Sequence, residues 1–281
     1  MPRLDPVPPL PREIEDALDA AGRQEDRAID LAETALLLAA MDRPGVSLSP
    51  YRDHLAELVA AVKDCRAHTA FEAAAALQRV FTDRFGYDGD RLTYDDPQNA
   101  NLIRVIDRRK GLPVALGVLF AHAARGAGFA LSGLAFPGHF LMRLEVAGER
   151  VIIDPFNGGR QVEAMEMRRL VKQLMGPEQE LTPQLTDTVG NRAILLRLQN
   201  NLKTRAQADG NTERVAHLAR TMLRLAPEDG ALWLDYAKAE HKLGRLGAAS
   251  GALEQCIEHS LDGFEMIEAQ RLLEELRLRL N

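Results

Sequence analysis

The sequence predicts an α+β domain, mainly helical with a small antiparallel sheet, followed by an all-α region. Three observations carry that expectation. Apolar residues recur at helical spacing in the first half of the chain. The period changes to two over the segments between residues 131 and 154. Beyond residue 192 there is no convincing strand, and the sequence resembles itself at an interval of 34 residues. At 281 residues the chain has room for two domains of roughly 150 residues each, which we place at 1–190 and 191–281.

Taken in order, the start MPRLDPVPPLPREIEDALD is rich in proline and acidic residues where a signal peptide would need an apolar stretch. Residues 26–43 and 50–85 show helical spacing, broken between them at Arg43-Pro44-Gly45. Leu55, Leu58, Val59 and Val62 form one stripe; Phe71, Ala74, Leu77, Val80 and Phe81 form another. Ser49-Pro50 places a capping serine before a first-turn proline. Residues 86–101, GYDGDRLTYDDPQNAN, read as a solvated, turn-rich connector, because their aspartates lack the spacing of a calcium loop. Pro113 opens a helix that Gly126 and Gly128 end near Ala127.

LSGLAF, HFLMRLEV and ERVIID then read as strands, the last two joined by Ala147-Gly148 as a two-residue turn. If Val146 faces Glu149, Glu145 opposes Arg150 as a favourable cross-strand pair and Asp154 opposes Leu141. His139 and Asp154 then share one face on a diagonal, roughly 7–8 Å apart. The other face carries Phe140, Met142, Leu144, Val146, Val151 and Ile153 and packs on the core.

In the C-terminal region, Leu202 aligns with Tyr236, Gly210 with Gly244, Val215 with Ala249, Ala219 with Leu253 and Met222 with Cys256. That is the tetratricopeptide period. Pro227 ends the first unit and Trp233 opens the second. Ala237, Gly244, Ala248, Ala249 and Ala252 let paired helices approach closely, and residues 264–280 form an amphipathic capping helix.

Composition narrows the function. A net charge of -6 gives no general attraction to nucleic acid or anionic membranes, and no window reaches the roughly 18 apolar residues of a membrane span. Cys65 and Cys256 make no metal or redox spacing. We expect a cytoplasmic protein without cofactor or metal. Arg104, Arg108, Arg109 and Lys110 form one basic cluster, read as a solvated helix face. His122 reads as an interior histidine and Trp233 as core.

The pieces YDDPQNANL (94–102), RRKGLP (108–113), PGHF (137–140) and DPFNGG (154–159), with the helical repeats behind them, resemble the SirB-type transglutaminase-like family. That resemblance implies a core related to papain-like and transglutaminase enzymes. In active relatives a cysteine begins the buried helix, a histidine accepts its proton and an aspartate orients the imidazole. His139 and Asp154 match the last two. The cysteine position falls on Pro113, or on Val114 or Ala115 if the alignment shifts, and residues 111–131 contain no Ser, Thr or Cys. The implied site is thus a remnant dyad, with Asn101, Arg109, Gly138 and Asn157 as candidates for lining its cleft. The pair could still serve a ligand, or Asp154 could simply bond backbone at the strand end. The expected function is a catalytically degenerate interaction or regulatory module that binds a protein or peptide through its cleft and its helical repeats. The alternative is a hydrolase or amide-transfer enzyme in which His139 acts as base without a cysteine. Of the two thiols, Cys65 in an earlier helix is the stronger candidate for a substitute nucleophile and Cys256, within the repeats, the weaker.

Overall fold

A computed structural model of the chain describes residues 12–260 and 263–280; the proline-rich start up to residue 11 lies outside them. The chain separates into two compact units, one built mainly from Glu25–Leu195, the other from Glu15–Gln24 and the chain from Leu196 onward. The boundary falls inside a helix, five residues past the expected 190/191 division, and most of the N-terminal helix joins the second unit.

The first unit opens with α2 (Leu31–Ala40), after most of α1 (Arg12–Arg23) has been given to the second. Asp30 caps α2 by accepting from the Ala32 and Glu33 amides. α3 (Ser49–Asp64) begins one residue earlier than expected, with Leu48 at the cap position and no side-chain bond, so Ser49 does not serve as its cap. Residues 50–85 are not one helix. The backbone breaks after α3, with Arg66 at φ 49°, and α4 (Ala70–Gln78) restarts on a capping box between Thr69 and Glu72. Its buried stripe is Ala70, Ala73, Ala74 and Leu77, which leaves Phe71 59% exposed. The polar segment after it holds β1 (Asp88–Gly89), which pairs in parallel with β2 (Lys110–Gly111) across α5 (Leu102–Arg108).

α6 (Pro113–Gly126) is the central helix. Apolar on all sides from Val114 to Ala121, it is buried along nearly its whole length. Pro113 occupies its first turn, and its C-terminus closes through Gly128 N–H to Arg125 O and Phe129 N–H to Ala124 O, with Gly128 at φ 94°. Phe120 stacks on Phe81 at 3.8 Å between centroids.

The sheet follows: β3 (Ala130–Leu134), β4 (Met142–Val146), β5 (Glu149–Asp154), β6 (Arg160–Gln161) and β7 (Thr188–Val189), antiparallel in the order β6-β5-β4-β3-β7. The β4–β5 register pairs Val146 with Glu149 and Glu145 with Arg150, as the turn chemistry predicts. Ala147 and Gly148 both take positive φ, 51° and 85°, the conformation a two-residue hairpin needs. Phe140, Met142, Leu144, Val151 and Ile153 are buried on one face. Gly117 of α6 meets that face so closely that a Cβ there would lie 2.3 Å from Phe140 Cε1. Gly117→Ala is therefore expected to cost about 1–3 kcal/mol by overpacking, read as a lower denaturation midpoint. The other face is covered too: Leu134, Phe136 and Leu141 pack with Val162 and with Met167 and Val171 of α7 (Ala164–Met175).

The second unit contains most of α1 and of α8 (Asn191–Ala208), with α9 (Thr212–Leu225), α10 (Gly230–Lys242), α11 (Leu246–His259) and α12 (Phe264–Leu280). Gly210 and Gly244, 34 positions apart, turn successive helices at φ 70° and 75°. Ala237, Ala249, Ala252, Leu253 and Cys256 pack with Ala269, Leu273 and Leu276 of α12. Ala248, expected at this close approach, is exposed instead. Arg224 grips α1 through Glu15 at 2.8 Å and Asp19 at 2.7 Å, carboxylates one helical turn apart.

Candidate functional site

β4 starts at Met142, not at His139 as HFLMRLEV suggested, and its pairing with β5 ends at Met142–Ile153. His139 stands in a bend just before the strand, at the end of the sheet where Asp154 closes β5. His139 Nε2 lies 3.0 Å from Asp154 Oδ2. Asp154 is 1% exposed, while the histidine side chain keeps 25% of its surface in solvent. The same Oδ2 accepts from Asn157 Nδ2 at 2.5 Å, and Oδ1 accepts from the Phe156 and Asn157 amides. The carboxylate thus caps the 3-10 turn Pro155–Asn157 while holding the imidazole. Burial alone would push its pKa up, but the hydrogen bonds from His139 and Asn157 outweigh that, and it lies below the ordinary value. Because Asp154 takes Nε2, the nitrogen left to act as a base is Nδ1, which has no hydrogen-bond partner among the described residues.

The surrounding chain is shaped to this pair. Gly138, at φ 62°, precedes His139 and backs onto Leu174 of α7, whose side chain would lie 3.0 Å from an added Cβ. Gly158 and Gly159 take φ 69° and 80°, so Asn157-Gly158-Gly159 is a left-handed turn, closed by Gly159 N–H to Asp154 O at 2.8 Å. Two arginines that sequence reasoning missed complete the site. Arg91 donates to Asn157 Oδ1 at 2.7 Å and to Phe156 O at 3.1 Å, with its guanidinium over the Phe156 ring. Arg160 opposes Asp154 across the β5–β6 pairing and is ion-paired to Glu166.

Of the four expected cleft residues, Gly138 and Asn157 lie at the pair and two are engaged elsewhere. Asn101 caps α5 by accepting from the Arg104 amide and donates to Ala39 O at 2.9 Å. Arg109, in a left-handed conformation at φ 59°, donates to Tyr87 Oη at 2.5 Å and contacts His54 Nε2. The basic cluster is therefore not a single solvated face. Arg108 is drawn inward to Asp90 at 2.6 Å and Asn99 at 2.8 Å.

The 86–101 segment is likewise no simple solvated connector: Tyr87, Asp90 and Asn99 are 2%, 3% and 0% exposed. Its polar side chains satisfy one another and the backbone. Asn99 donates to Thr93 O, and its own carbonyl accepts from Leu112 N–H at 2.9 Å, fixing the residue before Pro113. His122 is half-buried, with burial lowering its pKa and Asp30 opposing the shift. Trp233 is half-buried and donates to Pro227 O at 2.7 Å.

Neither cysteine forms a hydrogen bond to His139 among the described residues. Cys65 donates to Ala61 O at 3.4 Å at the end of α3, and the Ala70 amide that opens the next helix is tied to Glu149 at the hairpin tip. Among the described residues, no group of three or more His, Cys, Asp or Glu is placed to hold a metal ion, and no helix is long and apolar enough to cross a membrane.

A family model described as transglutaminase-like superfamily matches residues 49–200, which contain α6, the hairpin and the His139–Asp154 pair. A UPF0162 protein of Xylella fastidiosa is 31% identical over 241 residues, covering 83% of this chain and 85% of its own. Protein SirB1 of Salmonella typhimurium is 27% identical over 204 residues, covering 71% and 75%. F-box only protein 21 of Homo sapiens is 27% identical over 180 residues, 60% of this chain but 28% of that much longer one. Matched along its first unit by the family model and along most of its length by these relatives, the chain belongs to the SirB-type branch of the transglutaminase-like superfamily.

Proposed function

We propose that the chain is a catalytically degenerate transglutaminase-like protein that recognises a protein or peptide partner through its cleft and through C-terminal helices of tetratricopeptide type, in the cytoplasm. The observation that carries this reading is the contrast within the site: the His139–Asp154 pair is fully assembled, while the central helix begins at Pro113, which can supply neither thiol nor hydroxyl. The saturation of Asp154 by turn amides supports a pair maintained for structure and recognition. The 34-residue spacing of Gly210 and Gly244 supports the repeat reading.

The alternative is a hydrolase or amide-transfer enzyme in which His139 activates water, and one observation favours it: Nδ1 is left without a partner on a partly exposed ring. One experiment separates them. Purified chain is incubated with glutamine-containing peptides and assayed for released ammonia, while affinity capture is run in parallel with the unmodified chain and His139→Ala. The binding reading expects no release and the same captured partner in both. Ammonia release that disappears in His139→Ala would reverse the order of the two readings.

A further inference from the structure

Within the second unit, α1, α9 and α10 leave a cavity of about 330 Å³ between them, at the low end of the range for small-molecule sites. Its walls are apolar where Leu223, Pro227, Trp233 and Tyr236 contribute, and its rim carries the exposed arginines Arg23 and Arg220. Among the described residues neither arginine forms an ion pair or a side-chain hydrogen bond, in a chain whose net charge is -6. A third guanidinium on the same wall, Arg224, is already occupied by the Glu15 and Asp19 carboxylates. The wall is closed behind it: a Cβ on Gly22 would lie 2.0 Å from Arg224 O, so α1 sits too close for the gap to be filled from that side.

We propose that this cavity binds a small organic acid, its apolar, ring-sized body against Trp233 and Tyr236 and its carboxylate taken by Arg23 and Arg220. The two aromatic side chains, tilted at 59° with centroids 6.3 Å apart, offer a flat body both a face and an edge. The guanidiniums offer the forked donors that carboxylates match. The Arg224 pairs show the same chemistry already at work in this wall. This site is independent of the His139–Asp154 pair and of the reading given to it.

Trp233 is the only tryptophan in the chain, so its fluorescence reports on the cavity directly. The full-length protein is titrated with phenylacetate and with its uncharged counterpart phenylacetamide. The site predicts a saturable emission change with the acid and affinity about tenfold weaker for the amide, as loss of a charge-assisted bond would give. The R23Q/R220Q double variant should weaken phenylacetate binding by about the same factor, and R23K/R220K should recover part of it. Both arginines are exposed, so circular dichroism should show these variants folded. No saturable change with the acid, equal affinity for acid and amide, or unaltered binding by R23Q/R220Q would each overturn the assignment. A response confined to acidic peptides, with none to the free acid, overturns it as well.

Discussion

Replacing Asp154 with alanine is expected to lower the unfolding free energy by about 3 kcal/mol, because it removes a buried carboxylate that several donors depend on. His139 Nε2, Asn157 Nδ2 and the Phe156 and Asn157 amides all donate to it, and alanine gives none of them a replacement inside the sheet end. Asp154→Asn should cost less, since its carbonyl oxygen can still cap the 155–157 turn, while the imidazole and the Asn157 side-chain amide lose the acceptor they share. Urea denaturation followed by circular dichroism reads both. A loss in Asp154→Ala smaller than about 1 kcal/mol, the worth of one ordinary hydrogen bond, would mean that the site does not depend on this group. The same carboxylate sets a pH signature. Its folded pKa is depressed, so its contribution is fully present above the unfolded aspartate value of about 4 and is lost as pH falls through the lower folded value. Stability of the unmodified chain should therefore decline in acid more steeply than that of Asp154→Asn.

That site was legible where local chemistry decides geometry. Ala147-Gly148 permits one tight hairpin, Glu145 and Arg150 agree with it, and the register then sets Asp154 at the end of the hairpin beside which His139 stands. The bend that turns His139 onto it, outside the ladder, is not encoded by the period of two. Proline at 113 and glycine at 128 likewise bound the central helix by backbone preference alone. What failed to show was burial of polar chain. Asp90 and Asn99 look solvated in a run of aspartate, asparagine and glycine, yet they are covered because their partners, Thr93 and Arg108, arrive from the same local segment and the next helix. Arg91 was invisible for a different reason: it reaches Asn157 over a separation of 66 positions, and no periodicity encodes such a contact. Ala74, Leu77, Val80 and Phe81 of the expected stripe are buried, but Phe71 stands outside because the first turn of α4 directs Ala70 and Ala73 inward. The attachment of α1 to the second unit rests on Arg224 meeting Glu15 and Asp19 from the far end of the chain, a pairing with many competitors in a sequence holding 35 basic and 41 acidic residues.

Arg108→Ala is the second large effect expected, about 2 kcal/mol, because it leaves the Asp90 carboxylate covered and without its cation. The figure sits below the range for deep pairs, since the Arg108 side chain keeps 28% of its surface in solvent. Asp90 is held well below the ordinary carboxylate pKa, first by the Thr93 amide and then, against desolvation, by the Thr93 hydroxyl and Arg108; the two Thr93 donors remain when the arginine is removed. A double-mutant cycle separates pairing from packing: with Asp90→Ala already present, Arg108→Ala should cost less by about 1 kcal/mol or more. The consequence reaches the central helix. Arg108 also donates to Asn99 Oδ1, and the Asn99 carbonyl accepts from Leu112 N–H, the cap residue of α6. Hydrogen exchange at Leu112 should thus speed up in Arg108→Ala, while amides of the β4–β5 hairpin, held by their own ladder, change far less. Uniform acceleration across both would show a general loss of stability; unchanged exchange at Leu112 would show that the helix start is held by something other than this polar latch.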